Sequence, residues 1–145
     1  MKYLFLVLVC LHTTIAWGSN RLDALDGKSI ICEANEEMIF PTSGIYGFRF
    51  IGREVFGDMI VTDYDKVIIS NFYTDSVKSI SVNYITWWDE WVLNRESLLL
   101  YFQKPGHSEY QCTVAPDTRA YIEEMQRYRL EHLRKLEKLL EKNKL

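Results

Sequence analysis

Residues 91–102 decide the fold of this chain, and they read Trp91-Val92-Leu93-Asn94-Arg95-Glu96-Ser97-Leu98-Leu99-Leu100-Tyr101-Phe102. Apolar and aromatic runs at both ends of this stretch flank the polar segment 94–97. Runs of this kind favour β-strands, and a short polar segment between two of them is typical of a hairpin connection. The stretch therefore predicts two antiparallel strands joined by a turn.

Similar segments continue on both sides of this hairpin. They are rich in β-branched and aromatic residues, and turn signals such as Asp26-Gly27 and Lys104-Pro105-Gly106 separate them. Many short strands at such regular spacing are typical of a barrel or a sandwich. We predict one mostly-β domain over residues 19–115, an antiparallel β-barrel or sandwich of about seven or eight short strands. The predicted strands cover residues 28–32, 45–51, 55–61, 66–72, 78–88, 91–93, 98–102 and 109–114.

Two cysteines, Cys32 and Cys112, lie in the first and the last of these predicted strands. With Cys10 removed in a cleaved leader, they can pair in only one way. A bond between them would staple the two ends of the strand meander together, which favours a closed or nearly closed sheet. We therefore predict a disulfide bond between Cys32 and Cys112.

Residues 1–18 have the pattern of a secretory signal peptide. Lys2 precedes an apolar run over residues 3–11, and Ala16 and Gly18 occupy the −3 and −1 positions of a cleavage site. The apolar run is too short to span a bilayer, which needs about 20 residues. We expect a periplasmic or secreted protein with no stable membrane span, unless Cys10 carries a lipid anchor.

The C-terminal segment 116–145 predicts one amphipathic, charged α-helix. Pro116 ends the last strand, and Asp117 or Thr118 can cap the helix. The helix could dock on the sheet, join two copies in a homodimer through residues 117–145, or bind a membrane surface or a partner. Its apolar positions recur at helical spacing and comprise Ile122, Met125, Leu133, Leu136 and Leu140.

Charge divides the chain into an acidic body, residues 19–118, and a basic tail. The acidic body carries eight Lys and Arg against fifteen Asp and Glu, whereas residues 119–145 carry eight against five. We expect no nucleic-acid partner. A basic protein surface could be attracted to the acidic body.

Catalytic and metal-binding patterns are weak in this sequence. Beyond the leader, His107 and His132 have no partner at metal-ligand spacing, and no Ser, His and Asp set stands out. Asp63 and Asp65 could touch a calcium ion, but calcium needs six to eight oxygen ligands, and a hairpin turn explains them better. We expect no cofactor, no metal and no enzymatic activity.

The most unusual stretch is Trp87-Trp88-Asp89-Glu90-Trp91. Adjacent tryptophans on a strand point to opposite faces of the sheet. One interpretation has one or two of these rings in the core and a third covering the barrel rim. The other has an exposed ring that stacks on a sugar or anchors a protein partner. We predict that Trp87 or Trp91 is exposed and that these two residues and Tyr84 form a candidate binding surface.

Residues 91–100 with Tyr110-Gln111-Cys112 resemble a W-x-L-N-R-x-[ST]-L-x-L…Y-x-C pattern of small uncharacterised exported proteins of marine alphaproteobacteria. The aromatic run 46–50 is similar to an earlier strand of those proteins, and the resemblance covers residues 28–114. It implies no established activity, so no functional residue is carried over. The architecture is also similar to periplasmic lysozyme inhibitors of the small β-barrel kind, without their loop motifs.

Taken together, these features predict an exported, non-catalytic binding or interaction protein of the bacterial envelope, with an unidentified protein or glycan partner. An alternative is an inhibitor of a lysozyme-type cell-wall hydrolase, whose basic surface the acidic body would attract. A further alternative is a glycan-acting enzyme, which would need two of the acidic body's carboxylates at catalytic separation in a cleft.

Overall fold

The computed structural model describes residues 26–35, 42–88, 90–103 and 109–142, which form eight strands and one helix. Each strand pairs antiparallel with the next along the chain, and the last pairs with the first, so the sheet closes into a barrel. The predicted mostly-β fold with a C-terminal helix is confirmed, in its barrel form. The elements are β1 (Ser29–Ala34), β2 (Thr42–Ile51), β3 (Glu54–Asp63), β4 (Lys66–Ile80), β5 (Tyr84–Trp87), β6 (Trp91–Asn94), β7 (Leu99–Phe102), β8 (Tyr110–Ala115) and α1 (Thr118–Lys142).

The seam between β1 and β8 closes the barrel. Cys32 lies directly opposite Cys112 in the register of these two strands, and the two residues form a disulfide bond. The predicted pairing is therefore confirmed, and it joins the first and last strands of the meander. The proposed signal peptide, residues 1–18, lies outside the described residues.

One stretch of strand differs from the prediction. Residues 66–72 and 78–88 were expected to form separate strands, but β4 runs unbroken through residue 80, and the chain bends at residues 81–83 before β5. The Tyr84 amide donates to the Ser81 hydroxyl within this bend. Apolar residues on both sides of the bend pack in or against the inner cluster, Val77 and Ile80 from β4 and Ile85 from β5, so the apolar pattern did not mark the bend.

The barrel has an inner and an outer apolar cluster, because side chains alternate across each strand. On β1, Ile30 and Cys32 point inward and Ile31 points outward beneath the helix. The inner cluster is rich in aromatic rings, including Phe48, Phe50, Trp87 and Trp91. The outer cluster packs α1 over the outer face of the sheet.

The helix begins as expected, with Asp117 as its cap. The Ala120 amide donates to the Asp117 carboxylate over 2.7 Å, which satisfies one of the free donors of the first turn. Within the described part of the chain, no helix is both long enough and apolar enough to cross a membrane.

The face that α1 buries is only partly the predicted one. Met125 and Leu136 are buried, as expected, but Ile122 and Leu140 are exposed. Tyr121 is buried in their place, so the contacting face is rotated toward it. The predicted stripe counted aliphatic residues alone and therefore missed the aromatic residue that anchors the helix.

Candidate functional site

Two of the three residues predicted to form a binding surface lie in the barrel core. Trp87 and Trp91 are both buried, so the prediction that one of them is exposed is wrong. They are directly opposite one another on β5 and β6, and residues opposite one another in an antiparallel pair share a face of the sheet. Tyr84 is partly exposed at the start of β5, where it pairs with Asn94.

Of the three tryptophans in residues 87–91, the exposed one is Trp88, which follows β5 directly and is 46% exposed. Its backbone has a φ of 52°, in the left-handed region that bulky side chains rarely adopt. This conformation ends the strand and carries the ring to the rim of the barrel. The structure thus agrees with the interpretation in which two rings fill the core and one covers the rim.

Trp88 helps to line a cavity of about 300 Å³, which we call the aromatic cup. Most of the barrel strands contribute to it, because each projects an inward-facing side chain near the same end. The residues that line it are Tyr46, Met59, Phe72, Trp88, Trp91, Phe102 and Tyr110.

The rings of the aromatic cup stand at steep angles to one another. Tyr46 lies nearly perpendicular to Phe72, at 90° with 6.2 Å between ring centroids, and to Tyr110, at 85° and 5.3 Å. Trp91 meets Phe102 at 68° and 4.9 Å. Edge-to-face contacts of this kind stabilise aromatic clusters beyond the effect of area burial alone. They also fix the walls of the cup.

The polar groups of the described lining are the hydroxyls of Tyr46 and Tyr110 and the indole N–H groups of Trp88 and Trp91, and the Trp91 N–H is buried with no hydrogen-bond partner among the described residues. The Tyr46 and Tyr110 side chains are hydrogen-bonded to each other. Burial raises the pKa of Tyr46, and burial together with the neighbouring Tyr46 raises the pKa of Tyr110 to about 12. Both hydroxyl groups are therefore protonated and neutral at physiological pH.

A glycine makes room for one wall of the cup. Gly57 pairs in regular register with Phe72, and the irregularity of β3 lies between Glu54 and Phe56. A Cβ atom at position 57 would overlap the Phe72 ring. The glycine is needed for this close approach and not for a break in the strand.

The described residues of the aromatic cup include no carboxylate, imidazole, amine or guanidinium group. Among the residues that the structure describes, no group of His, Cys, Asp and Glu side chains could hold a metal ion. The chemistry available in the cup is therefore contact with aromatic rings and hydrogen bonding to two tyrosine hydroxyls and to the indole N–H groups of Trp88 and Trp91.

A second cavity, of about 280 Å³, lies between the start of α1 and the outer face of the barrel. Its polar centre is the buried carboxylate of Asp58, which accepts hydrogen bonds from the Tyr121 hydroxyl at 2.5 Å, from Arg49 Nε at 3.2 Å and from the Asn71 amide. Burial and the bond to Asp58 raise the pKa of Tyr121. We call these four residues the Asp58 cluster, in which Tyr121, Arg49 and Asn71 all donate to the Asp58 carboxylate.

Sequence reasoning missed both Trp88 as the exposed ring and Asp58 as a buried charge. The adjacent Trp87 and Trp88 did indicate that one ring points away from the core, but not which one. For Asp58, the available signal was a single acidic residue inside the apolar segment 55–61. Such a residue is ordinarily exposed, and only the position of the helix shows that it is covered.

Comparison with known proteins adds no relative: no protein-family model matches the sequence, and no curated protein or solved structure matches the chain.

Proposed function

We propose that this chain is an exported, non-catalytic binding protein that holds its ligand in the aromatic cup. The observation that carries the proposal is Trp88, which is exposed and lines a cavity whose other described lining residues are aromatic or apolar. A large exposed ring beside an apolar cavity is the arrangement expected of a binding site. Export rests on the pattern of residues 1–18 and on the Cys32–Cys112 bond.

The backbone at Trp88 supports this proposal. A left-handed conformation costs a bulky residue roughly 1–2 kcal/mol, and such conformations cluster at functional sites. Ring burial does not explain this cost, because nearly half of the side chain is exposed. A role in contacting a ligand would explain why a tryptophan occupies this position.

The size and rigidity of the cup indicate the kind of ligand. Ligand pockets usually span roughly 300–1,000 Å³, so a cavity of about 300 Å³ suits one ring or one branched group. Its walls stand on paired strands and are thus largely organised before binding, which reduces the entropy lost on association. A sugar is a poorer fit, because its several hydroxyls would meet few polar groups: two tyrosine hydroxyls that already bond to each other and two indole N–H groups.

The test is a titration of the protein with phenol, indole, choline and the neutral tert-butyl analogue of choline, followed by the indole N–H resonances in NMR spectra. We expect at least one compound to shift the Trp88 and Trp91 resonances. Trp88→Gly should weaken its binding about fivefold, since a ring contact contributes about 1 kcal/mol.

Tyr64→Gly is the matched control for this substitution. Tyr64 is also an exposed aromatic residue with a left-handed backbone, at a φ of 53°, and it does not line the cup. Glycine adopts this conformation without strain, so both variants should fold. If no compound shifts the cup resonances, or if both variants bind equally, the proposal is wrong.

A further inference from the structure

The aromatic cup has the form of a box. Six of its described lining residues are aromatic, and its rings meet at angles of up to 90°. Rings that line one space and stand nearly perpendicular to each other form adjoining walls around a central volume. A group placed in that volume would contact several rings at once.

Ring faces of this kind favour positive charge. The face of an aromatic ring carries the negative end of its quadrupole, which attracts a cation within about 6 Å of the ring centroid. Trp gives the strongest such interaction, and two of the lining residues are Trp88 and Trp91. A carboxylate or phosphate would find no Lys or Arg in the described lining, only the neutral donors of its tyrosines and tryptophans.

The net charge of the acidic body also favours a cationic ligand. The acidic body, residues 19–118, has fifteen acidic against eight basic residues. A net negative surface raises the local concentration of cations and speeds their association. The cup therefore combines a lining of aromatic rings with a net negative charge on the part of the chain that carries it.

From these observations we infer that the ligand group held in the aromatic cup is a methylated ammonium, such as a trimethylammonium group. This inference rests on the proposed binding function and names its ligand class. A methylated ammonium presents an apolar surface to the rings, so it is desolvated more easily than a bare ammonium. Its positive charge still interacts with the faces of aromatic rings.

The deciding experiment compares choline with its neutral tert-butyl analogue, which has the same shape and no charge. Binding to the full mature chain is measured by calorimetry at matched ionic strength. We expect choline to bind about tenfold more tightly, as a desolvated cation–π interaction would give.

A conservative variant separates the effect of charge from that of shape. Trp88→Phe keeps an apolar ring at the rim but weakens the interaction with a cation. It should reduce choline binding severalfold and change binding of the neutral analogue less. Tyr64→Gly should leave both affinities unchanged, and the melting temperature of each variant shows whether the fold is intact.

The outcomes distinguish the inference from the function on which it rests. Equal binding of choline and its analogue in the cup would overturn the inference and leave the proposed binding function standing. If neither of them nor any other titrated compound binds, both fail. If choline binds, the protein is then centrifuged with phosphatidylcholine vesicles. Co-sedimentation assigns the group to a lipid headgroup, and a protein that stays in the supernatant assigns it to a soluble compound.

Discussion

Asp58 lies on β3 with its carboxylate buried beneath the C-terminal helix. A buried carboxylate is costly unless hydrogen bonds satisfy its oxygens, and here Tyr121, Arg49 and Asn71 donate to it. Tyr121 passes over Gly47 to reach this carboxylate. Glycine leaves the room for it, because a Cβ atom at position 47 would overlap the Tyr121 hydroxyl group. The Asp58 cluster thus ties the helix to the barrel through contacts between single residues.

Tyr121→Phe tests this tie. The substitution removes the hydroxyl that donates to Asp58 and preserves the ring, so only the hydrogen bond is lost. Because the acceptor is charged, we expect the free energy of unfolding to fall by about 1.5–3 kcal/mol in urea titrations.

Tyr128→Phe is the matched control at the residue scale. The Tyr128 hydroxyl donates over 3.2 Å to Glu33, which is exposed, so water can replace it when it is removed. Its loss should cost less than about 1 kcal/mol. Equal losses in the two variants would show that the contact of Tyr121 with Asp58 does not stabilise the helix on the barrel.

At the scale of elements, α1 has one face against the barrel and the other in solvent. Tyr121, Met125 and Leu136 are buried along the contacting face. The solvent face carries ion pairs between residues three or four positions apart, such as Arg119 with Glu123 and Arg127 with Glu124. Pairs of this kind each stabilise a helix by only about 0.2–0.5 kcal/mol. Burial of the apolar face therefore dominates the docking of α1.

Two leucines one turn apart test which face of α1 is buried. Leu136 is 6% exposed, whereas Leu140 is 40% exposed. Leu136→Ala should lower the free energy of unfolding by about 2 kcal/mol or more, because it leaves a cavity in the helix interface. Leu140→Ala should change it by no more than about 0.5 kcal/mol. Similar effects of the two substitutions in urea titrations would contradict the face described for α1.

At the scale of the whole molecule, the barrel is closed by the pairing of β1 with β8, and the Cys32–Cys112 bond lies within this seam. The closed sheet leaves no open edge, and an open edge is where strands of other chains can add. The two cysteines are 80 residues apart, so their bond constrains the unfolded chain over almost the whole barrel.

Removing this bond should destabilise the entire domain. For a loop of 80 residues, the chain-entropy model gives about 4–4.5 kcal/mol, a large share of the 5–15 kcal/mol typical of a domain. We expect Cys32→Ser with Cys112→Ser to lose this amount in urea titrations. Reductant should lower the melting temperature of the unaltered chain and leave the double variant unchanged. An unaltered chain insensitive to reductant would refute the stabilising role of the bond.

Much of the fold could be predicted from sequence, because it follows from local patterns. Alternation and turn residues indicated most of the strands, and Pro116 with Asp117 indicated where the helix begins. The pairing of Cys32 with Cys112 was predictable because the chain offers them no other partner outside the proposed leader. At residues 81–83, where the chain bends between β4 and β5, the alternation gave the wrong strand boundaries, because alternation does not show a change in chain direction.

The candidate site depends on the tertiary structure. Whether each tryptophan is buried depends on strand pairing and on the backbone conformation after the strand. Trp87 and Trp91 face inward because they lie opposite one another on paired strands. Trp88 is exposed because its left-handed backbone ends the strand. The aromatic cup combines side chains from strands far apart in sequence, and its volume is the space that their packing leaves unfilled. By itself, the sequence determined most of the strands, the disulfide partners and the start of the helix, because these depend on spacing along the chain. The exposed ring, the buried carboxylate of Asp58 and the cup were decided by contacts between distant segments, which local periodicity does not encode.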